Sequence, residues 1–259
     1  MTGFSDFHCH LADPRFSMCF EVVASKIAAE GVDTLATSGT DVRDFERIKQ
    51  IQTQFVGTCY VGAGLHPYKV ESHEDDSLKQ QFDLLDSLTD EIDFVGEAGL
   101  DYRQQYVLGG VARQRAALAF QVELAEQYSL PVILHCVRAH HDLLSVLSSK
   151  HRFAIHGFNK NEALARQYLD RGGYISLGAA TLRKPAWAKA MLKFVPVDRL
   201  FFETDAPDTE LPGRPLDYVG SPADVVEIYQ FAASVLNIEL ADLKSQIGRN
   251  FSAFFGSRQ

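Results

Sequence analysis

Near the start of the chain, Phe4-Ser5-Asp6-Phe7-His8-Cys9-His10 sets two imidazoles two residues apart at the end of an apolar run. In a strand, residues i and i+2 share a face, so His8 and His10 point one way and Cys9 the other. Two imidazoles on one face are half of a metal site, because neutral imidazole is a common metal ligand. Glu97, His135, His156 and Asp205 each stand at or just past the end of a later apolar run. Four imidazoles and two carboxylates suit divalent ions such as Zn²⁺ or Mn²⁺. Six ligands are too many for one tetrahedral ion. They suit two ions about 3.5–4 Å apart that share a carboxylate, an arrangement adapted to hydrolysis. Glu97, with two oxygens and a central strand, is the natural bridge. Taken singly, each histidine is more often a core residue, and Asp205 could be a loop or helix cap. Taken together, six uncompensated polar groups at one point would be costly without a cation.

For the six to meet, the elements that carry them must converge. The chain reads as eight strand-helix alternations. The predicted strands are Phe4–His8, Thr34–Ser38, Tyr60–Leu65, Phe94–Glu97, Pro131–His135, Phe153–His156, Tyr174–Leu177 and Leu200–Glu203. Helices are predicted over Met18–Glu30, Asp41–Gln54, Ser77–Thr89, Ala112–Tyr128, His140–Ser149, Asn161–Asp170 and Pro185–Phe194. Two more, Pro222–Leu236 and Leu240–Phe254, end the chain. Leu118, Val122, Ala125 and Tyr128 form one helical stripe, with Gln121 and Glu126 off it. The strands are short apolar runs, as expected when both faces are buried. No Ser/Gly linker or composition shift divides the units. The expectation is a single α/β domain over 1–259, a (β/α)₈ TIM barrel with extra C-terminal helices. An open doubly wound sheet is the alternative, but no GxGxxG follows the first strand. In a (β/α)₈ barrel all six ligand-type residues would face the C-terminal rim, where such barrels carry their chemistry.

The chain has 259 residues, 46% of them apolar, with a net charge of -9. Such an acidic chain has no global attraction for nucleic acid or anionic membrane, so a phosphate substrate would depend on local positive charge, which bound metal supplies. Cys9, Cys19, Cys59 and Cys136 include no CxxC pair and read as reduced thiols. No run approaches the roughly 18–20 apolar residues of a membrane span, and no signal pattern opens the sequence. A cytoplasmic, soluble protein with no obligate protein partner is expected.

Other polar residues carry weaker signals. His66, in Gly64-Leu65-His66-Pro67, ends the third strand and faces the rim, as a substrate or proton-transfer residue or as a loop cap. Asp101 could orient a ligand or shape a turn. Arg103, Arg138, Lys160 and Arg214 lie in or near rim loops, where they could hold a phosphate or simply be solvated. His73, His140, His141 and His151 sit in polar contexts and are expected at the surface.

Over nearly its whole length the sequence resembles the TatD family of metal-dependent hydrolases, a branch of the amidohydrolase-like barrels. The segments that carry the resemblance are Asp6-Phe7-His8-Cys9-His10, Gly64-Leu65-His66-Pro67, Gly96-Glu97-Ala98-Gly99-Leu100-Asp101-Tyr102, Leu130-Pro131-Val132-Ile133-Leu134-His135, Ile155-His156-Gly157-Phe158 and Glu203-Thr204-Asp205-Ala206-Pro207, with Asn250-Phe251 near the end. The resemblance implies two divalent cations, one held by His8, His10, Glu97 and Asp205, the other by Glu97, His135 and His156. It implies a Mg²⁺- or Mn²⁺-dependent deoxyribonuclease, often exonucleolytic. Related barrels bridge their ions with a carbamylated lysine; Glu97 stands there instead. The sequence departs from the family pattern at Val137, at Asn159-Lys160 and at Gly220, all outside the metal set and near where substrate would sit.

The functional expectation is a hydrolase with two divalent cations (Zn, Mn or Mg) acting on DNA ends or a small phosphoester. Asp205 and Glu97 would be catalytic, Asp205 accepting the proton of the attacking water, and His66 would serve as acid for the leaving group. The alternative is a small ester, amide or lactone as substrate on the same metals. A third possibility, a non-catalytic barrel with structural metal, fits poorly, because structural zinc sites are closed and four-coordinate.

Overall fold

The computed structural model describes residues 3–16, 20–108, 110–209, 211–215 and 217–256. Met18, the expected start of the first helix, and Cys19 lie outside the described residues. Eight parallel strands pair in sequence order: β1 (Phe4–Cys9), β2 (Val32–Ser38), β3 (Thr58–Ala63), β4 (Phe94–Asp101), β5 (Val132–Val137), β6 (Phe153–Ile155), β7 (Tyr174–Leu177) and β8 (Leu200–Phe202). Each is followed by helix, giving the (β/α)₈ barrel. The strands are almost wholly buried, with helices on their outer face and side chains filling the interior.

The barrel closes where its first and last strands meet. Cys9 and Ala206 form a parallel bridge. His10 N–H donates to Ala206 O at 2.7 Å, and Asp205 N–H donates to His8 O at 2.9 Å. A side chain completes the seam. The fully buried Asp6 carboxylate accepts from Thr204 N–H at 2.9 Å and from the Thr204 hydroxyl at 2.6 Å. Burial pushes the Asp6 carboxyl well up, against the lowering effect of these bonds. Asp6 shares the strand face of His8, and its bonds fix that face against the segment carrying Asp205.

The opposite end is closed by the final helix, Leu240–Phe255. Phe7 of β1, Tyr60 of β3, Phe94 of β4, Tyr174 of β7 and Phe201 of β8 all make ring contacts with its Phe251, Phe254 or Phe255. A helix that reaches strands on opposite sides of a closed barrel must cross its end. The closest ring pair there, Phe7 on Phe201, is stacked at 3.9 Å across the seam.

Two elements differ from expectation in ways that bear on the site. β4 runs four residues past Glu97, to Asp101. It continues through Ala98-Gly99-Leu100 because β5 pairs with it, Gly99 opposite His135. Gly99 is obligatory there: its φ is +153°, and a Cβ would lie 2.0 Å from His135 O. Between β3 and the helix Asp75–Ser87 a short helix, Pro67–Ser72, stands where apolar periodicity gives no signal. His66 is its N-cap and Pro67 opens it.

The helix Val111–Gln127 buries Leu118, Val122 and Ala125 as its stripe predicts, but Tyr128, just past its end, is 39% exposed. Gln121, expected off the stripe, is buried. It accepts from Leu65 N–H at 2.8 Å and donates to Leu65 O at 3.2 Å. Gln114, two turns earlier on the same face, does the same for Asp101, at 2.8 and 3.1 Å. These two amides satisfy the backbone at the ends of β3 and β4, where a lost partner would cost about 1–3 kcal/mol each. They thereby fix the approach of His66 and Asp101 to the mouth.

Candidate metal centre

All six ligand-type residues come together at the C-terminal mouth, where all but the fully buried His8 line a cavity of about 710 Å³. His8 lies in β1 and His10 just past it, Glu97 in mid-β4, His135 in β5, His156 directly after β6, and Asp205 three residues past β8. Glu97, 2% exposed, is the hub. Its Oε2 is 3.2 Å from Nε2 of His8 and 3.2 Å from Nε2 of His10. Its Oε1 is 2.9 Å from Nδ1 of His135 and 2.8 Å from Nε2 of His156. Asp205 Oδ1 stands 3.3 Å from His10 Nε2 and 3.8 Å from His8 Nε2. The two oxygens of one carboxylate thus face two different sets of donors.

The partition is less sharp than two separate sets. His156 also groups with His8 and Asp205, their ligand atoms lying within 4.8 Å of one another. His66 lies inside the cluster: its Nε2 is 3.3 Å from Glu97 Oε1, and it groups with Glu97 and His135. Its Nδ1 accepts the Tyr68 backbone N–H at 3.2 Å. A neutral His66 must then carry its proton on Nε2, aimed at Glu97. That tautomer donates a proton rather than coordinates a metal.

Charge is balanced within the cluster. Burial would raise the Glu97 carboxyl, but the charge of His156 and the close imidazoles of His10 and His135 hold it well below the usual carboxylate range. The Asp205 side chain is 39% exposed. Desolvation in the mouth pushes its pKa up, but the hydrogen bond from His10 and the charges of His156, His10 and His8 bring it down to about 2. Burial opposes protonation of His10 and His156, yet Asp205 and Glu97 raise the first well above its ordinary value, and Glu97 and Glu203 raise the second. Burial lowers His8, and takes His66 down to about 4.

The donor set fits divalent cations. Glu97 Oε1 is buried and makes no hydrogen bond of acceptable geometry, although three imidazole nitrogens lie within 3.3 Å of it. Only nitrogen and carboxylate oxygen face the centre, and both carboxyls are held ionised. His8, His10, Glu97, His135, His156 and Asp205 could together hold two ions.

Several neighbours orient these donors, as outer partners of ligating histidines do. Asp101 Oδ2 lies 3.3 Å from His135 Nε2, on the far side of the ring from Glu97. His10 Nδ1 lies 3.0 Å from Ser38 O. Glu203, fully buried, has Oε1 3.5 Å from His156 Nδ1 and takes a short hydrogen bond from Gly157 N–H. Sequence reading left Asp101 between ligand-orienting and turn roles and gave Glu203 and Asp6 no role. For Asp6 a signal was available, because it lies two residues before His8 on the same strand face.

The rim cations divide. Arg103 lines the cavity, with Nε donating to Asp101 at 2.9 Å and the guanidinium 4.9 Å from the Tyr106 ring centroid. Arg138, Lys160 and Arg214 do not line it; Arg214 pairs instead with Glu227. Arg15, Lys69 and Arg183, which the sequence did not single out, do line it. Two histidines expected at the surface are not there. His73 is buried, with Nε2 2.9 Å from Asp41 and Nδ1 2.7 Å from Ser77 Oγ. His140 is half-buried against the Tyr168 hydroxyl at 2.8 Å, and burial takes it down to about 4. His141 is exposed, while His151 is partly covered and near Glu126.

Residues 5–256 match the family model for TatD-related DNases. An uncharacterized metal-dependent hydrolase of Escherichia coli, YjjV, is 32% identical over 218 residues, which are 81% of this chain and 82% of that protein. A 3'-5' ssDNA/RNA exonuclease, TatD, of Klebsiella pneumoniae is 27% identical over 260 residues, 97% of each chain. The crystal structure of the E. coli YjjV protein superposes with a TM-score of 0.87 at 27% identity, covering 98% of both chains. The barrel, the mouth and a match that runs almost from end to end lead to one conclusion: the chain belongs to the TatD-related DNase family of metal-dependent hydrolases.

Proposed function

We propose that this protein is a two-metal phosphodiesterase acting on the ends of nucleic acid strands, with the whole chain working as one domain. The observation that carries the reading is the division of Glu97, Oε2 toward His8 and His10 and Oε1 toward His135 and His156. His8, His10 and Asp205 would hold one ion, His135 and His156 the other, and Glu97 both. Two divalent cations so held would supply a water of lowered pKa and charge to offset that on the phosphoryl and leaving oxygens.

The protein's own residues do the rest. Asp205, ionised and partly open to the mouth, accepts the proton of the attacking water. His66, with its proton on Nε2, supplies an acid to the leaving group. Asp101 and Glu203 fix the rings of His135 and His156. The Klebsiella relative's exonuclease activity supports nucleic acid as the substrate class. The free thiols Cys9 and Cys136 accord with a reducing cytoplasm, and no described helix is long and apolar enough to cross a membrane.

A second reading, hydrolysis of a small ester, amide or lactone, draws on the acidic rim, where Asp13 and Asp208 hold Arg15 at 2.9 and 2.7 Å. One panel separates the two. Protein loaded with Mg²⁺, Mn²⁺ or Zn²⁺ is given single-stranded oligonucleotides, carboxylate esters, amides and lactones. Chelator-sensitive release of mononucleotides is expected. Turnover of carbonyl substrates with none of oligonucleotides would replace the first reading with the second.

A further inference from the structure

The mouth has two unlike sides. The loops after β8, β1 and β2 bring Asp208, Asp13 and Asp44 to the cavity, whereas those after β3 and β4 bring Tyr68, Tyr106 and Arg103. On the first side Arg15 bridges Asp13 and Asp208, while the second adds Lys69 beside the tyrosines. On that second side an aromatic path leads away from the ligand cluster. The His66 and Tyr68 rings are 4.2 Å apart between centroids, and those of Tyr68 and Tyr106 are 5.8 Å apart, tilted by 38°.

The path is braced. The Arg103 guanidinium, anchored by Asp101, packs over Tyr106, whose ring lines the cavity. Tyr68 is fixed through its backbone N–H on the His66 ring. Both tyrosines are only partly buried, although rings of this size usually bury their faces in a core.

We propose that Tyr106, with Tyr68 beside it, is a stacking platform for a nucleobase carried by the substrate, next to the phosphoryl group at the metal centre. This rests on the phosphodiesterase reading above. Tyrosine stacks on any base, because every base has a π-face, so the platform selects for a base without selecting which. Arg103, held by Asp101, backs the ring at 4.9 Å from its centroid.

Binding tests the platform apart from catalysis. Mn²⁺-loaded protein is titrated calorimetrically with 2′-deoxyadenosine 5′-monophosphate and with 2-deoxyribose 5-phosphate, the same phosphate without its base. The nucleotide is expected to bind about 5- to 150-fold more tightly, the equivalent of about 1–3 kcal/mol for one stacked base. Tyr106→Leu should bring this ratio close to one, and Tyr106→Trp should preserve or raise it. A wild-type ratio near one, or a ratio unchanged in Tyr106→Leu, overturns the platform. Tyr106 lies on a single 3₁₀ turn beside the barrel, and circular dichroism of each variant checks that the fold is kept. The oligonucleotide assay reports separately on function. Base-dependent binding without phosphodiester hydrolysis sinks the functional reading and leaves the platform. Hydrolysis without base-dependent binding does the reverse.

Discussion

Replacing Asp205 by Asn removes a proton-accepting oxygen and a unit of charge while keeping the shape of the side chain. The backbone makes Asn the informative choice. Asp205 has φ of +58°, the left-handed region that Asn and Asp tolerate best. Its N–H is held by His8 O at 2.9 Å and its carbonyl accepts from Asp208 N–H at 2.8 Å. Neither bond depends on the side chain, which is 39% exposed, so the fold should hardly change. Asp205→Ala, by contrast, keeps a Cβ in left-handed backbone without a compensating polar group. It should cost about 1–2 kcal/mol, a fall of roughly 2–8 °C in Tm for a chain of this size. The rate is another matter. An amide cannot accept the proton, and a positioned base contributes about 10²–10⁴-fold, or about 2.7–5.4 kcal/mol of barrier. Metal content, Tm and single-turnover hydrolysis of an oligonucleotide should be measured on one preparation. The expected result for Asp205→Asn is a nearly unchanged Tm, retention of the histidine-held metal, and a rate per bound metal at least a hundredfold lower. A rate within a few-fold of wild type at equal metal content would refute Asp205 as the base.

Glu97→Gln should release both ions together, as elemental analysis would record; loss of one equivalent with the other bound normally would refute the bridge. His66→Ala should slow phosphodiesters with poor leaving groups more than those with good ones, and equal slowing of both would make His66 a positioning residue. Asp101→Asn should weaken metal binding by about 10–100-fold, because it frees the His135 ring; unchanged affinity in a chelator competition would argue against that role. His140 should make stability depend on pH. Its folded pKa of about 4 lies below the ordinary value near 6.5, so its contribution is complete above pH 6.5 and is lost as pH falls toward 4. His140→Gln, which keeps an acceptor for Tyr168, should flatten Tm between pH 6.5 and 4 relative to wild type, and parallel curves would refute the assignment.

What the sequence made legible is what local pattern encodes. His8 and His10 are adjacent on a strand face, and Glu97, His135, His156 and Asp205 mark strand ends, so the barrel and its rim could be read together. What escaped depends on partners far along the chain. β4 looks finished at Glu97 because Gly99 interrupts its apolar run, and only pairing with β5 carries it to Asp101. His73 and His140 sit among polar neighbours in sequence, yet Asp41 and Tyr168 bury them. Gln121 reads as a surface position on a helix, and its purpose, like that of Gln114, appears only when the ends of β3 and β4 arrive beside it. Tyr68 and Tyr106 lie on a six-residue helix and a single 3₁₀ turn, too short to carry a periodicity to read.

The seam held by Asp6 and Thr204 joins residues 198 positions apart. During synthesis the ribosome releases His8 and His10 early and Asp205 only after four-fifths of the chain has emerged. The final helix that seals the far end of the barrel comes later still. A growing polypeptide therefore has neither Asp205 at the mouth nor a closed barrel until those late segments arrive. A hydrolytic site built on this seam is thus assembled only when a segment from late in the chain reaches back to its first strand.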